Sequence, residues 1–154
     1  MRRLALLALV LSLAACESPT GPSDREQLQE ARARWDANGN DSYSFEINRG
    51  CFCVLGGRLV EVTVKDGAVV AAQYLDSGGP VDASLLGYVP TVPDLFDLIQ
   101  DAIDRQAVSF VASYDPVYGY PTSIEIDYSA TTADDELRYT ARALILHTAL
   151  SGRP

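Results

Sequence analysis

Residues 59–75 read LVEVTVKDGAVVAAQYL and carry the clearest structural signal in the chain. It consists of two mainly apolar runs, residues 59–64 and 68–75, in which valine is frequent, and Asp66-Gly67 lies between them. An Asp-Gly pair between two apolar runs is typical of the two-residue turn of a β-hairpin. We therefore predict two antiparallel strands, Leu59–Val64 and Ala68–Leu75.

The residues before this hairpin predict a helix and a further strand. Ser23 and Glu26 have the spacing of a capping box, and apolar residues follow at helical spacing as far as Asp36. Residues 38–40, Asn-Gly-Asn, end that helix. Over residues 43–48 apolar and polar side chains alternate, which is typical of a half-buried strand. The first half of the domain is therefore expected to run helix, strand, strand, strand.

The second half is expected to repeat this order. A helix begins at residues 91–94, Thr-Val-Pro-Asp, with Pro in its first turn. Strands follow over Val108–Tyr114, residues 124–128 and residues 137–146, where a helix from Asp134 is the alternative. In the last strand, strict alternation places the odd-numbered side chains on the buried face. We predict an α+β fold with two helices packed on one antiparallel sheet, built as two helix–three-strand halves.

The first 15 residues have the composition of an export signal. Arg2 and Arg3 precede the apolar run Leu4–Ala15, which as a helix reaches roughly 18 Å and cannot cross about 30 Å of hydrocarbon. The run ends Leu-Ala-Ala-Cys at residues 13–16, which resembles the bacterial lipobox. The sequence therefore predicts a signal peptide over 1–15 and a lipid on Cys16, with an ordinary signal and a chance cysteine as the alternative.

A flexible tether and one globular domain are expected after the signal. Residues 16–23 are mostly small and polar and contain two prolines, so they are predicted to link the lipidated cysteine to a domain over residues 24–150. The predicted location is the cell envelope, with attachment through lipid. Glu17, where an Asp would favour retention, resembles lipoproteins sent to the outer membrane of diderm bacteria, facing the periplasm.

The negative charge of the chain argues against nucleic acid as a partner. The sequence has 12 basic and 21 acidic residues, a net charge of −9, and loss of Arg2 and Arg3 with the signal would leave 10 basic residues and a charge of −11. Nucleic-acid binding needs basic patches, and contact with anionic lipid also favours basic surfaces. We expect the membrane to be reached through the lipid alone and the acidic domain to be free for an envelope protein partner.

Several short motifs resemble a known family. They are Trp35, Ser42-Tyr43-Ser44-Phe45, Cys51-Phe52-Cys53, residues 62–67 (VTVKDG), 93–99 (PDLFDLI), 114–124 and 133–136. Together they resemble a group of uncharacterised bacterial lipoproteins whose shared segment is known as domain of unknown function 6174. The resemblance covers nearly the whole mature chain and implies an exported single-domain protein. It implies no activity, cofactor or catalytic residue.

Cys51 and Cys53 form the candidate site with the most specific chemical prediction, a disulfide. With Cys16 lipidated, these two thiols would remain in an oxidising compartment, where an even count favours a bridge. Residues two apart in an extended strand have Cα atoms about 6.6 Å apart, near the limit of about 6.8 Å for a disulfide. A bridge therefore needs a local bend, which Gly50 would permit. Free buried thiols and a redox or metal site are the alternatives, and a metal is least favoured because zinc needs about four ligands.

The loop of residues 114–121 is the best candidate for recognising a partner. Tyr114, Tyr118 and Tyr120 offer large contact areas with hydrogen-bonding tips and little conformational entropy to lose. The alternative is that these tyrosines and the flanking prolines brace the end of a hairpin.

Acidic residues form weaker candidates. Four aspartates share one face of the second predicted helix: Asp94, Asp97, Asp101 and Asp104. A solvated face is favoured over a cation site, because calcium usually takes its oxygens from a loop. The segment that begins at residues 36–41 resembles a calcium loop only faintly, because Asp41 stands where the loop needs Gly at its sixth place and Ile47 where it needs Glu at its twelfth. Glu125 and Asp127 are expected on the wet face of a strand.

The sequence offers few residues in arrangements that are typical of catalytic sites. The sequence contains no G-x-S-x-G, P-loop or H-E-x-x-H motif, and its single histidine, His147, lies beside an apolar stretch. We expect a non-catalytic binding or accessory module of the envelope, with no cofactor and no metal. The alternatives are an envelope hydrolase or redox protein using Cys51 and Cys53, and a purely structural component.

Overall fold

The computed structural model describes residues 23–51, 53–131 and 136–147. Its elements are α1 (Asp24–Asn38), β1 (Tyr43–Gly50), β2 (Leu59–Lys65), β3 (Ala68–Tyr74), a 3-10 helix (Ala83–Tyr88), α2 (Val92–Asp104), β4 (Ser109–Tyr114), β5 (Pro121–Asp127) and β6 (Leu137–Leu146). The predicted order, a helix and three strands twice over, is confirmed. The predicted signal peptide, Cys16, most of the tether and residues 148–150 of the predicted domain lie outside the described residues.

The six strands form one antiparallel sheet in the order β3-β2-β1-β6-β5-β4. Each half contributes three consecutive strands, and the halves join where β1 pairs with β6 in the middle of the sheet. Because β3 and β4 lie at opposite edges, the segment that contains α2 crosses the whole sheet. Strand β6 is confirmed over residues 137–146, so the alternative of a helix there is wrong.

Both helices begin with a capping box. The Glu26 carboxylate accepts the Ser23 backbone N–H over 2.7 Å, and the Ser23 hydroxyl accepts the Glu26 N–H over 3.3 Å. At α2 the Asp94 carboxylate accepts the Thr91 N–H over 2.8 Å in the same reciprocal arrangement. These contacts satisfy backbone donors that a helix start leaves free.

Neither helix of the described chain combines the length and apolar character that a membrane crossing requires.

Tyr43 joins the helices and the sheet at the centre of the core. Its side chain is only 1% exposed, and its hydroxyl accepts the Val92 N–H at the start of α2 over 2.9 Å. The ring of Trp35 from α1 meets it edge-on, with centroids 5.2 Å apart. Burial raises the pKa of Tyr43 to about 12. The helices therefore pack on one face of the sheet, whereas side chains of the other face, such as Arg138 and Arg142, are exposed. We call the second face the open face.

The alternation predicted for the last strand is wrong beyond Ala141. Ser44 is opposite Ile145, whereas Glu46 is opposite Arg142, so β6 has one more residue than β1 in this interval. Ala143, with a φ of 54°, lies in this bulge. A bulge shifts the following side chains to the other face. Ile145 is consequently 59% exposed, while the even-numbered leucines after the bulge are half-buried against the core.

Candidate functional site

Cys51 and Cys53 are joined in a disulfide, as the sequence predicts. Their Cα atoms lie 5.3 Å apart, closer than an extended strand allows, because β1 ends at Gly50 and the chain bends. The bend is closed by the Gly57 N–H, which donates to the Arg49 carbonyl over 2.7 Å. Cys53 is exposed and Cys51 half-buried, so the bridge lies at the rim of the loop. We call residues 51–57 the disulfide loop.

The glycine that this loop requires is Gly56 rather than Gly50. A Cβ atom on Gly56 would lie 2.1 Å from the Cys51 carbonyl oxygen and 2.9 Å from that of Cys53. The Gly56 N–H also donates to the Cys53 carbonyl over 2.9 Å. Gly50, by contrast, is a paired residue of β1, opposite Arg138. Close backbone approach at Gly56 therefore shapes the loop that carries the disulfide.

Beside the disulfide loop is a small crevice on the helix face of the sheet, between this loop and residues 88–90, which lead into α2. Its lining is mainly apolar and includes Ile47, Val60, Tyr139, Leu55, Tyr88 and Pro90, with Arg49 and Arg58 as its cations. Leu55 comes from the disulfide loop, and Tyr88, which is 55% exposed, ends the 3-10 helix. We call this the Arg49 crevice.

Arg49 is a cation without a counter-ion among the described residues. Its Nε is buried and has no hydrogen-bond partner there, and its guanidinium carbon lies 5.5 Å from the centroid of the Tyr139 ring. The residue as a whole is half-buried. The unpartnered Nε costs free energy. The positive charge of the half-buried guanidinium is also not neutralised by any acidic side chain of the described residues, and a bound anion would supply that charge.

Arg58, the other cation of the crevice, is already neutralised. Its Nε and one terminal nitrogen donate to the two Asp76 carboxylate oxygens, each over 2.7 Å. The hydrogen bond with Arg58 holds the pKa of Asp76 below its usual value. The guanidinium also stacks on the Tyr74 ring, 4.1 Å from its centroid. Arg49 is therefore the cation of the crevice that remains free to bind an anion.

The three tyrosines of the candidate recognition loop have packing contacts in the structure. Tyr120 is only 6% exposed, and Tyr118 is half-buried against the core. Tyr114 stacks on Phe96 of α2 at a centroid distance of 6.5 Å, and burial raises its pKa to about 12. The Asp115 carboxylate accepts two backbone N–H groups within the loop, at 2.7 and 2.9 Å. These contacts fit the bracing interpretation, while a role in partner binding stays a prediction.

The four aspartates of α2 form hydrogen bonds or ion pairs with other groups of the protein. Asp94 caps its own helix, as described above. Asp97 accepts a hydrogen bond from Arg32 of α1 over 2.8 Å, and Asp104 accepts one from Arg25 over the same distance. Asp101 accepts the Tyr128 hydroxyl over 3.0 Å and pairs with Arg105 at 3.2 Å. The face is exposed, as favoured, but it also holds the two helices side by side.

The remaining acidic candidates and His147 also have partners. Glu125 pairs with Arg138 across the open face of the sheet at 3.1 Å, and the His147 Nε2 lies 3.0 Å from the Ser44 hydroxyl. Residues 36–38 are the end of α1, and in the turn that follows the Asn40 side chain accepts the Ser42 N–H over 3.0 Å. Across residues 23–51, 53–131 and 136–147, no three His, Cys, Asp or Glu side chains are grouped to hold a metal ion.

The Arg49 crevice is the feature that sequence reasoning missed. Its signal was present in the alternation of β1, since Arg49 continues the inward-facing series of Tyr43, Phe45 and Ile47. A charged residue at an inward position of a strand is unusual and therefore informative. The walls of the crevice come from segments distant in sequence, so no local pattern revealed them.

The comparisons with known proteins give a family without an assigned activity. Residues 27–146 match the profile of DUF6174, a family of unknown function. No curated protein and no solved structure matches the chain. The match covers nearly all of the described domain, including α1 from Gln27 onward, α2 and the six strands. The chain therefore belongs to the DUF6174 family.

Proposed function

We propose that this protein is a lipid-anchored component of the bacterial cell envelope whose domain binds another envelope protein through the Arg49 crevice. The N-terminal pattern of Arg2-Arg3, an apolar run and the lipobox-like residues 13–16 supports the anchoring. The observation that carries the binding role is Arg49, a half-buried cation that has no counter-ion among the described residues, in a protein whose net charge is negative.

The crevice favours a carboxylate next to an apolar side chain. A guanidinium binds a carboxylate through two parallel hydrogen bonds, and the low polarity around Arg49 strengthens such a contact. The neighbouring Leu55, Tyr88 and Pro90 would contact the apolar group. Because the domain is acidic overall, a uniformly acidic partner would be repelled. We therefore infer a partner with a single acidic side chain or carboxyl terminus set among apolar residues.

The binding proposal is tested by affinity capture of the full chain from detergent-solubilised envelope of the bacterium that makes it. We expect Arg49→Gln and Tyr88→Ala each to lose a protein that wild type retains. The matched control is Arg138→Gln, which removes an arginine from the open face of the same sheet and should retain the partner. Retention by Arg49→Gln, or the absence of any specific partner, would contradict the proposal.

The anchoring proposal is tested separately by metabolic labelling with an alkyne fatty acid. We expect wild type to be labelled and to fractionate with membranes, and Cys16→Ser to lose both properties. Cys53→Ser should keep the label, because that thiol belongs to the disulfide loop. Label on Cys16→Ser would place the lipid elsewhere, and an unlabelled wild type would rule out lipidation.

Thiol–disulfide exchange is the second candidate, and the exposure of Cys53 favours it. In such a reaction the reduced pair would give two electrons and two protons to a substrate disulfide, and Cys51 and Cys53 would become bridged. The test is reduction of a model protein disulfide by the reduced protein, with Cys53→Ser as the inactive variant. Equal rates for wild type and Cys53→Ser would rule this activity out.

A further inference from the structure

The chain covers one edge of its sheet. At β3 the Tyr74 N–H donates to the Gly79 carbonyl over 2.9 Å, and the Ala72 carbonyl accepts the Val81 N–H over 2.8 Å. The strand also has a bulge at Val70, which interrupts its register with β2. Both features hinder the addition of a further strand at this edge.

Among the described residues no segment covers the β4 edge, and the irregularity in its register with β5 lies at its end, between Ser113 and Tyr114. In the part of the chain that the structure describes, β5 is the only segment paired with β4, and their register is regular from Ser109 to Ser113. Strand β4 contains no charged residue and no proline, which are the residues that commonly prevent edge pairing. Val111, at its middle, is 58% exposed.

We propose that β4 pairs with β4 of a second copy of this chain, antiparallel and in a register centred on Val111. Residues 109–113 read Ser-Phe-Val-Ala-Ser, which is self-complementary in that register. On the open face Val111 lies opposite Val111 of the second copy, and serine lies opposite serine. On the helix face Phe110 lies opposite Ala112, so a large side chain meets a small one on both sides of the twofold axis. Cross-strand pairs that pack in this way stabilise a sheet.

The negative charge of the protein does not oppose this pairing locally. The nearest acidic side chain on the open face is Glu125, which is opposite Val111 on β5 and is paired with Arg138. In the joined sheet the Glu125 residues of the two copies are three strand spacings apart, about 14 Å. That exceeds the screening length of about 8 Å at physiological ionic strength.

Cysteine cross-linking of the full chain in its own envelope tests the interface. The Cα atoms of directly opposed residues are about 4.5–5.5 Å apart, within reach of a disulfide. We expect Val111→Cys to give a disulfide-linked dimer on a non-reducing gel. The matched control is Val70→Cys, which is 51% exposed on the covered edge and should stay monomeric.

A second set of variants tests the register. Ser109→Cys alone should not cross-link, because the two introduced thiols belong to residues about 14 Å apart along the strands. Ser109→Cys combined with Ser113→Cys should cross-link. Adding Val111→Lys to this double variant should abolish the dimer through like charges placed directly opposite each other, whereas adding Val70→Lys should leave it.

Three results would overturn the proposal. Val111→Cys could remain monomeric, it could cross-link no more than Val70→Cys, or the dimer of the double variant could survive Val111→Lys. Because Val111 and Val70 are both exposed, loss of folding does not account for a difference between their variants.

Discussion

The disulfide loop depends on a residue that has no side chain. The Cys51 carbonyl turns towards Gly56 so closely that even one added carbon would overlap it. The same loop places Leu55 in the wall of the Arg49 crevice. One glycine therefore sets the position of the disulfide and the shape of the proposed binding site together.

Replacing Gly56 with alanine should destabilise the protein by about 1–3 kcal/mol, the usual cost of forcing an extra carbon into a packed site. Chemical denaturation of the oxidised protein would measure the free energy of unfolding. The control is Gly87→Ala, where the added Cβ would meet nothing within 4 Å. Equal stability of the two variants would show that the loop is not held as described.

At the scale of elements, the bulge at Ala143 decides which side chains at the end of β6 face the core. Before it, Tyr139 and Ala141 are buried, in line with simple alternation. After it, Leu144 is half-buried and Ile145 exposed, which reverses the predicted faces. The bulge lies in the β1–β6 ladder, where the two halves of the domain meet.

The bulge predicts which of two neighbouring residues tolerates a polar side chain. Ile145→Ser should change the free energy of unfolding by less than about 0.5 kcal/mol, as is usual for surface positions. Leu144→Ser should destabilise by roughly 1–2 kcal/mol, because it removes part of the buried apolar surface. Denaturant titrations of both variants would measure this difference. Strict alternation requires the opposite ranking, so that ranking would contradict the bulge.

At the scale of the whole molecule, the core contains tyrosines whose hydroxyls must stay protonated. Burial raises the pKa of Tyr43 and Tyr114 to about 12, and burial also raises the pKa of Tyr120 and Tyr139. The ordinary value in an unfolded chain is about 10. The folded state therefore keeps these protons to higher pH than the unfolded state does.

This difference predicts a loss of stability in alkaline solution. Below about pH 10 the tyrosines are protonated in both states and contribute nothing to the pH dependence. As the pH rises from about 10 to 12, the unfolded state loses protons first and stability falls. Circular dichroism and tyrosinate absorbance, followed together, should show unfolding and ionisation of the buried tyrosines in that range. Complete ionisation near pH 10 with an unchanged dichroism spectrum would contradict the prediction.

The sequence was informative wherever structure depends on near neighbours. The Ser23–Glu26 box, the Asp66-Gly67 turn and the alternation of Tyr43, Phe45 and Ile47 predicted helix α1, the hairpin and β1. Hydrogen bonds and periodicity in these elements involve residues at most a few positions apart. The pairing of Cys51 with Cys53 is also local. It was expected from the even number of remaining thiols, although the spacing required a bend in the chain.

The contacts between distant residues and the candidate binding surfaces depend on long-range packing. Arg25 and Asp104 are 79 residues apart, and Arg32 and Asp97 are 65 apart, so no local pattern connects them. Within the described part of the chain, the lack of a counter-ion for Arg49, the burial of Tyr120 and the unpaired edge of β4 likewise depend on which segments meet in space. The order and kind of the elements thus follow from short-range chemistry, whereas the candidate binding surfaces arise only when distant segments pack and leave some groups without partners.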